Sequence, residues 1–136
     1  MAYLFEHIVR STELDSLGHV NNAKYLEYME WARFEWICLA GFTWEELNRR
    51  QLLPVVVNLN LNYRQELRLM EKIRIVSTAG RIGKRSFVIH HEIYRENGDL
   101  AADADFTMVM MDAKERRAAD LPEEWVAELL QHQKKE

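Results

Sequence analysis

Cross-links, membrane spans and a basic surface are the first things missing from this sequence. It holds a single cysteine, Cys38, so no internal disulfide can form, and a cytoplasmic setting is expected. Its apolar runs are short. Residues 52–57, for example, fall far below the roughly 20 residues that cross a bilayer, which predicts no membrane insertion. The opening Met1-Ala2-Tyr3-Leu4-Phe5-Glu6-His7 lacks the charged and apolar regions of a secretory signal. Basic charge is not in surplus: 18 Lys and Arg face 22 Asp and Glu, a net −4. That balance argues against a nucleic-acid partner gripped through a broad positive surface. The five histidines, His7, His19, His90, His91 and His132, show no metal-ligand spacing, so no metal is expected. No repeat, linker or low-complexity tract interrupts the chain.

What is present suits one domain spanning residues 1–136, with 48% hydrophobic and 29% charged residues. The organising stretch is Leu14-Asp15-Ser16-Leu17-Gly18-His19-Val20-Asn21-Asn22. Asparagine caps helix starts, because its side-chain oxygen accepts a first-turn amide. Glycine closes helix ends, because the left-handed conformation costs it little. The asparagine pair and Gly41 therefore bracket a helix over residues 23–40, with Asp15 just upstream of its start. Such a start presents free N–H groups and a partial positive charge. A carboxylate beside it can act as base or nucleophile while the amides hold an oxyanion.

On this helix Tyr25, Met29, Ala32, Trp36, Ile37 and Ala40 form a buried stripe, widened by Leu26, Phe34 and Leu39. Glu27, Glu30, Arg33 and Glu35 mark the polar positions, and Glu30 is expected to pair with Arg33. A helix apolar over so much of its circumference calls for a sheet that wraps it. A first strand is read over residues 3–12. Thr43 caps a short helix over residues 44–51, with Glu46 completing a capping box. Four strands follow, over residues 54–64, 72–80, 85–95 and 100–112, with an Asn97-Gly98 hairpin turn before the last. The first of these alternates Val55, Val57, Leu59, Leu61 and Tyr63 against Val56, Asn58, Asn60 and Asn62. Residues 122–131 read as a terminal helix on Trp125, Val126, Leu129 and Leu130, and residues 132–136 as a frayed end. The fold class is α+β with an antiparallel sheet.

Asp15-x-x-Gly18-His19-Val20-Asn21-Asn22-x-x-Tyr25-Leu26-x-x-x-Glu30-x-Ala32-Arg33 resembles the signature of hotdog-fold acyl-CoA thioesterases of the 4-hydroxybenzoyl-CoA thioesterase type. The stretch from Pro54 to Arg64, and Ala101-Ala102-Asp103-Ala104, resemble the bacterial long-chain acyl-CoA thioesterase III group in particular. The resemblance covers nearly the whole chain. It implies a five-stranded antiparallel sheet wrapped around one long central helix, and a homo-oligomer, either a dimer or a dimer of dimers. It implies Asp15 as the catalytic carboxylate and the backbone amide of Asn22 as the group that polarises the thioester carbonyl. The substrate is then an acyl-CoA, with CoA part of the substrate and no separate cofactor. His19, Tyr25, Asn58, Lys84, Arg85 and Ser86 are the substrate-binding candidates.

Each candidate has a plainer reading. Asp15 can order the loop, and Asn21 and Asn22 can serve only as caps. His19 can orient the loop or the substrate, or be a hydrogen-bonded structural residue. Asn58, Asn60 and Asn62 can face solvent, or form a polar patch near the site or between subunits, with Asn58 nearest the substrate. Lys84-Arg85-Ser86 can hold a nucleotide phosphate through charge-assisted bonds, or be an ordinary basic turn. Met108, Met110 and Met111 can line an acyl tunnel or fill the core. The expected activity is hydrolysis of a medium- to long-chain fatty acyl-CoA. The alternatives are a non-hydrolytic acyl-CoA binding module, or a thioesterase for acyl-carrier protein or aromatic acyl-CoA.

Overall fold

In the computed structural model, which describes residues 1–134, five antiparallel strands curl around one long helix. The elements are β1 (Tyr3–Ile8), α1 (Asn22–Leu39), α2 (Trp44–Arg50), β2 (Leu52–Tyr63), β3 (Lys72–Ile82), β4 (Ser86–Tyr94), β5 (Leu100–Asp112), β6 (Arg117–Ala118) and α3 (Glu123–Gln131). The sheet runs β1-β3-β4-β5-β2, and the two-residue β6 adds to β5. The expected hotdog architecture is therefore observed, with β6 as an addition after β5.

Alternation builds the core. Ile73, Ile75, Ser77 and Ala79 of β3, Phe87, Ile89, His91 and Ile93 of β4, and Ala102, Ala104, Phe106, Met108 and Met110 of β5 share the buried face. From α1 come Tyr25, Tyr28, Met29, Ala32, Arg33 and Trp36, and from α3 Trp125 and Leu129. Phe34 and Leu39, expected to widen the stripe, are instead 52% and 75% exposed, and Leu130 of α3 is exposed as well.

Arg33 also departs from expectation. It is buried, with its guanidinium 4.5 Å from the Phe106 ring centre and Nη1 3.3 Å from His91 Nε2. No ion pair joins it to Glu30 among the described residues; the helix turns Arg33 inward at a position the apolar stripe already claims. Burial pulls its pKa down to about 10 against the opposing charge of Glu30. Ser77 Oγ lies 2.7 Å from His91 Nδ1, so the imidazole is held on both sides. Burial, then the charge of Arg33, pushes the His91 pKa well below its ordinary value.

Several element ends differ from expectation. β1 ends at Ile8, because Val9 turns its backbone to Glu71 and Met70 and a single 3-10 turn follows at Ser11–Glu13. In α2 Thr43 does accept the Glu46 amide, but the Glu46 carboxylate turns to Arg49 and Arg50 instead of back to the cap. Residues 132–134 are not frayed: Ala79 donates its N–H to His132 O and Lys134 donates to Ala79 O, a short parallel bridge on β3. The rest of that stretch, residues 135–136, lies outside the described residues.

The alternation of β2 is broken at Val57. Val56 pairs with Met108 but Asn58 pairs with Thr107, so Val57 is an inserted bulge residue. The bulge moves Val56 to the helix side with Leu59, Leu61 and Tyr63, and sends Val55 to the outer side with Asn58, Asn60 and Asn62. β2 also forms an edge of the sheet, and Val57 is 57% exposed there. Among the described residues no helix is long and apolar enough to cross a membrane.

Candidate active site

A tight loop, residues 13–22, carries the Asp15 carboxylate to the start of α1. Its base is closed by the Asn21 N–H donating to Glu13 O at 2.9 Å. Above it Leu14 and Val20 form a bridge, and the Asp15 N–H donates to His19 O at 2.9 Å. Gly18 makes the reversal at φ +88°, where a side chain would be strained. The loop is docked by the Val20 N–H on Leu67 O, 2.9 Å.

At the end of this loop Asn21 caps α1, its side chain accepting the Ala23 N–H at 2.8 Å. Its carbonyl takes the Lys24 N–H. The Asn22 N–H has no acceptor among the described residues, so a donor at the positive end of an 18-residue helix remains free. The Asp15 carboxylate accepts the Leu17 N–H at 2.8 Å through Oδ1, while Oδ2 lies 3.6 Å from His19 Nδ1. One oxygen is thus fixed and the other faces the imidazole.

Asp15, His19, Val20, Asn22, Tyr25, Tyr63, Arg64, Gln65 and Glu66 line one open cleft. Its floor is aromatic: Tyr25 and Tyr63 meet edge to face at 5.1 Å. Both hydroxyls are committed, Tyr25 donating to Gln65 O at 3.0 Å and Tyr63 to Asn22 O at 2.8 Å. Burial, the largest influence, pushes the Tyr25 hydroxyl up to about 12, so it stays a protonated donor.

The structure brings together four of the sequence candidates, Asp15, His19, Asn22 and Tyr25. It does not bring the other four to this cleft within the chain. Asn58 lies on the outer sheet face, about 17 Å along β2 from Tyr63 at ~3.4 Å per residue. Lys84, Arg85 and Ser86 sit beyond the far end of β3, whose near end at Lys72 adjoins the loop that docks Asp15. The strand between spans roughly 33 Å. There Arg85 pairs with Asp120 at 2.8 Å.

The wall formed by Tyr63, Arg64, Gln65 and Glu66 is absent from the sequence reading. A second bulge builds it: Ile93 pairs with Ala102 and Tyr94 with Leu100, leaving Ala101 over. Its carbonyl then accepts both Arg64 N–H (2.8 Å) and Gln65 N–H (3.0 Å). Asp103 holds the Arg64 guanidinium at 2.6 Å, and that bond, the largest influence on it, keeps the Asp103 carboxyl below its usual range. The Ala101-Ala102-Asp103-Ala104 stretch was the available signal.

Beside the same α1–β2 seam lies an apolar groove, lined by Arg33, Phe34, Ile37, Cys38, Phe42, Trp44, Leu47, Pro54, Val56 and Met108, with Glu30 and Glu35 at its rim. It encloses about 1080 Å³, counting space open to solvent. Met108 belongs to both core and groove, Met110 is core, and Met111 lies on the other sheet face opposite Leu53.

A curled antiparallel sheet around one long helix is the hotdog architecture, and the comparisons show the family that carries it. The chain belongs to the thioesterase-like superfamily, whose sequence model matches residues 9–130. It is therefore a thioester hydrolase by family. It is 36% identical over 115 residues to the long-chain acyl-CoA thioesterase FadM of Escherichia coli (strain K12), covering 83% of this chain and 86% of that one. It is 28% identical over 104 residues to YneP of Bacillus subtilis (strain 168), covering 76% and 75%. Among solved structures, SAV2348 of Staphylococcus aureus in complex with CoA superposes with a TM-score of 0.93. That match spans 99% of this chain and 87% of the other at 16% identity, a likeness of fold.

Proposed function

We propose that this chain hydrolyses medium- to long-chain fatty acyl-CoA to the free acid and CoA. The observation that carries the reading is the pairing of the Asp15 carboxylate with the free Asn22 amide on one cleft, beside an apolar groove along the same helix. The Asn22 N–H, aligned with the α1 dipole, polarises the thioester carbonyl and holds the oxygen as it becomes an oxyanion. Asp15 then acts in one of two ways. As a base it takes a proton from water, whose oxygen attacks the carbonyl carbon. As a nucleophile it attacks that carbon itself, forming an anhydride that water cleaves. In both, the carbon–sulfur bond breaks and the CoA thiolate leaves to be protonated. The groove supports a long aliphatic acyl chain, because burying each methylene contributes about 0.8 kcal/mol. Likeness to FadM supports the same class.

Homo-oligomerisation belongs to this reading. β2 leaves Val56, Val57 and Leu59 exposed on an edge strand, a surface that a second copy would cover. Lys84, Arg85 and Ser86 lie too far from Asp15 to share a CoA with it in one chain, so their role as phosphate contacts requires that second copy. Light scattering on the purified protein tests this: a monomer at micromolar concentration would remove both statements.

The deciding experiment is thiol release from CoA thioesters of graded chain length, with benzoyl-CoA, phenylacetyl-CoA and an acyl-carrier-protein thioester beside them. A rate that peaks among the medium and long chains is expected. A peak on an aromatic or carrier-protein substrate would replace the proposed substrate class, and silence across the panel would remove the hydrolase reading.

A further inference from the structure

Glu13 is 6% exposed, and its carboxylate is fully engaged by three separate elements. His7 Nε2 of β1 lies 3.0 Å from both oxygens. The Arg10 N–H at the 3-10 turn donates to Oε1 at 2.9 Å, and the Tyr28 hydroxyl of α1 donates to the same oxygen at 2.8 Å. The main chain of the same residue closes the base of the Asp15 loop, accepting the Asn21 N–H at 2.9 Å. Burial raises the carboxyl's pKa, but the bonds from Arg10, His7 and Tyr28 outweigh it and the net value lies below the ordinary glutamate range.

We propose that Glu13 is a positioning residue for the reaction: its side chain locks β1, the turn and α1 together, and its carbonyl thereby fixes where Asp15 stands relative to the Asn22 amide. This rests on the roles given above to Asp15 and Asn22. Asp15 follows two residues later, within about 7 Å of chain, so a shift of Glu13 passes directly to the reacting carboxylate. Misplacement by about 1 Å at such a site costs on the order of 100-fold in rate. Substrate binding is insulated from it. The far wall of the cleft hangs on Ala101 O and Asp103, and the groove is formed by α1, α2 and β2. Loosening Glu13 should therefore lower kcat and leave affinity nearly unchanged.

The test compares Glu13→Ala, Glu13→Gln and Tyr28→Phe with the wild type. It uses the CoA ester the wild type turns over fastest for kinetics and the matching non-hydrolysable thioether for affinity. Glu13→Ala should lose roughly 30- to 100-fold in kcat with a thioether Kd within about threefold. Glu13→Gln should restore kcat to within about fivefold of wild type, since its carbonyl accepts from Arg10 and Tyr28 and its amide donates to neutral His7. Tyr28→Phe, which removes one bond, should lie between them. A Glu13→Ala enzyme that keeps kcat within threefold overturns the proposal. So does one in which kcat and affinity fall together. Should Glu13→Ala fail to fold, the same criteria apply to Tyr28→Phe, with an unchanged kcat or a matching loss of affinity overturning it. A wild type that releases no thiol overturns the hydrolase reading itself, and this proposal with it; a deficit confined to kcat of the variants supports both.

Discussion

At its Asn22 end α1 meets hydrogen-bonding groups on every side: a carboxylate, an imidazole, two committed tyrosines and its own free amide. Twelve residues on, at Phe34, about 18 Å along the axis, the side chains the same helix meets across the groove are apolar, Phe42, Trp44, Leu47, Pro54 and Val56. The helix reaches this contrast without a polar-to-apolar gradient in composition, since tyrosines crowd the polar end and Arg33 sits at the apolar one. The difference comes from what each end is paired with. At the start, the loop and the bulge at Ala101 supply oriented dipoles. Further along, β2 and α2 supply bare side chains. Under the proposed function the polar end takes the thioester and the apolar stretch takes the acyl chain.

The predictions break this contrast from either side. Removing the polar head's chemistry has the largest effect. Asp15→Asn should cost on the order of 10³-fold in kcat while a thioether analogue binds within a few-fold of wild type. A kcat within tenfold would relieve Asp15 of its role. Filling the apolar end comes next. Val56→Trp should lower kcat/KM for long acyl chains by about tenfold and leave short chains untouched, because the pocket rejects by volume. Equal losses at every chain length would place the tail elsewhere. Asn21→Ala should destabilise the fold by about 1 kcal/mol through the lost cap, a drop of a few degrees in melting temperature. An unchanged melting curve would mean the cap contributes nothing.

A last effect is read against pH and concerns the buried ring behind the groove. His91 is held neutral in the folded protein, so the unfolded chain binds the extra proton and stability falls as pH drops below 6.5. The carboxylates Glu13 and Glu71, whose pKa values are lowered, keep their contribution there and begin to lose it only below 4.5. Thermal melts between those two values should show a decline in wild type and none in His91→Gln. A slope that survives the substitution would assign the proton to another group.

Much of this was legible in one dimension. The loop, the capped helix and the run of strands after it follow from caps and alternation, and Asp15, His19, Asn22 and Tyr25 do meet at one cleft. What escaped has a common cause. Two bulges, at Val57 and Ala101, each insert one residue, and a one-residue shift exchanges the faces of a strand without altering its composition. Val56 was therefore assigned to the wrong face, and the wall from Tyr63 to Glu66 was missed. Arg33 was misjudged because a guanidinium can be buried over a phenylalanine ring and against a neutral histidine, a fit that periodicity does not encode. The Glu13 cluster escaped because its partners come from β1, the turn and α1, and no local motif joins them.

Cys38 gives the groove a chemical address. It is the one thiol in the chain, it is exposed, and it lines the groove. A fluorophore attached there would report on this groove and nowhere else on the molecule. If the groove takes the acyl chain as proposed, its emission would follow chain entry in real time, separately from the chemistry about 24 Å away at the other end of the helix.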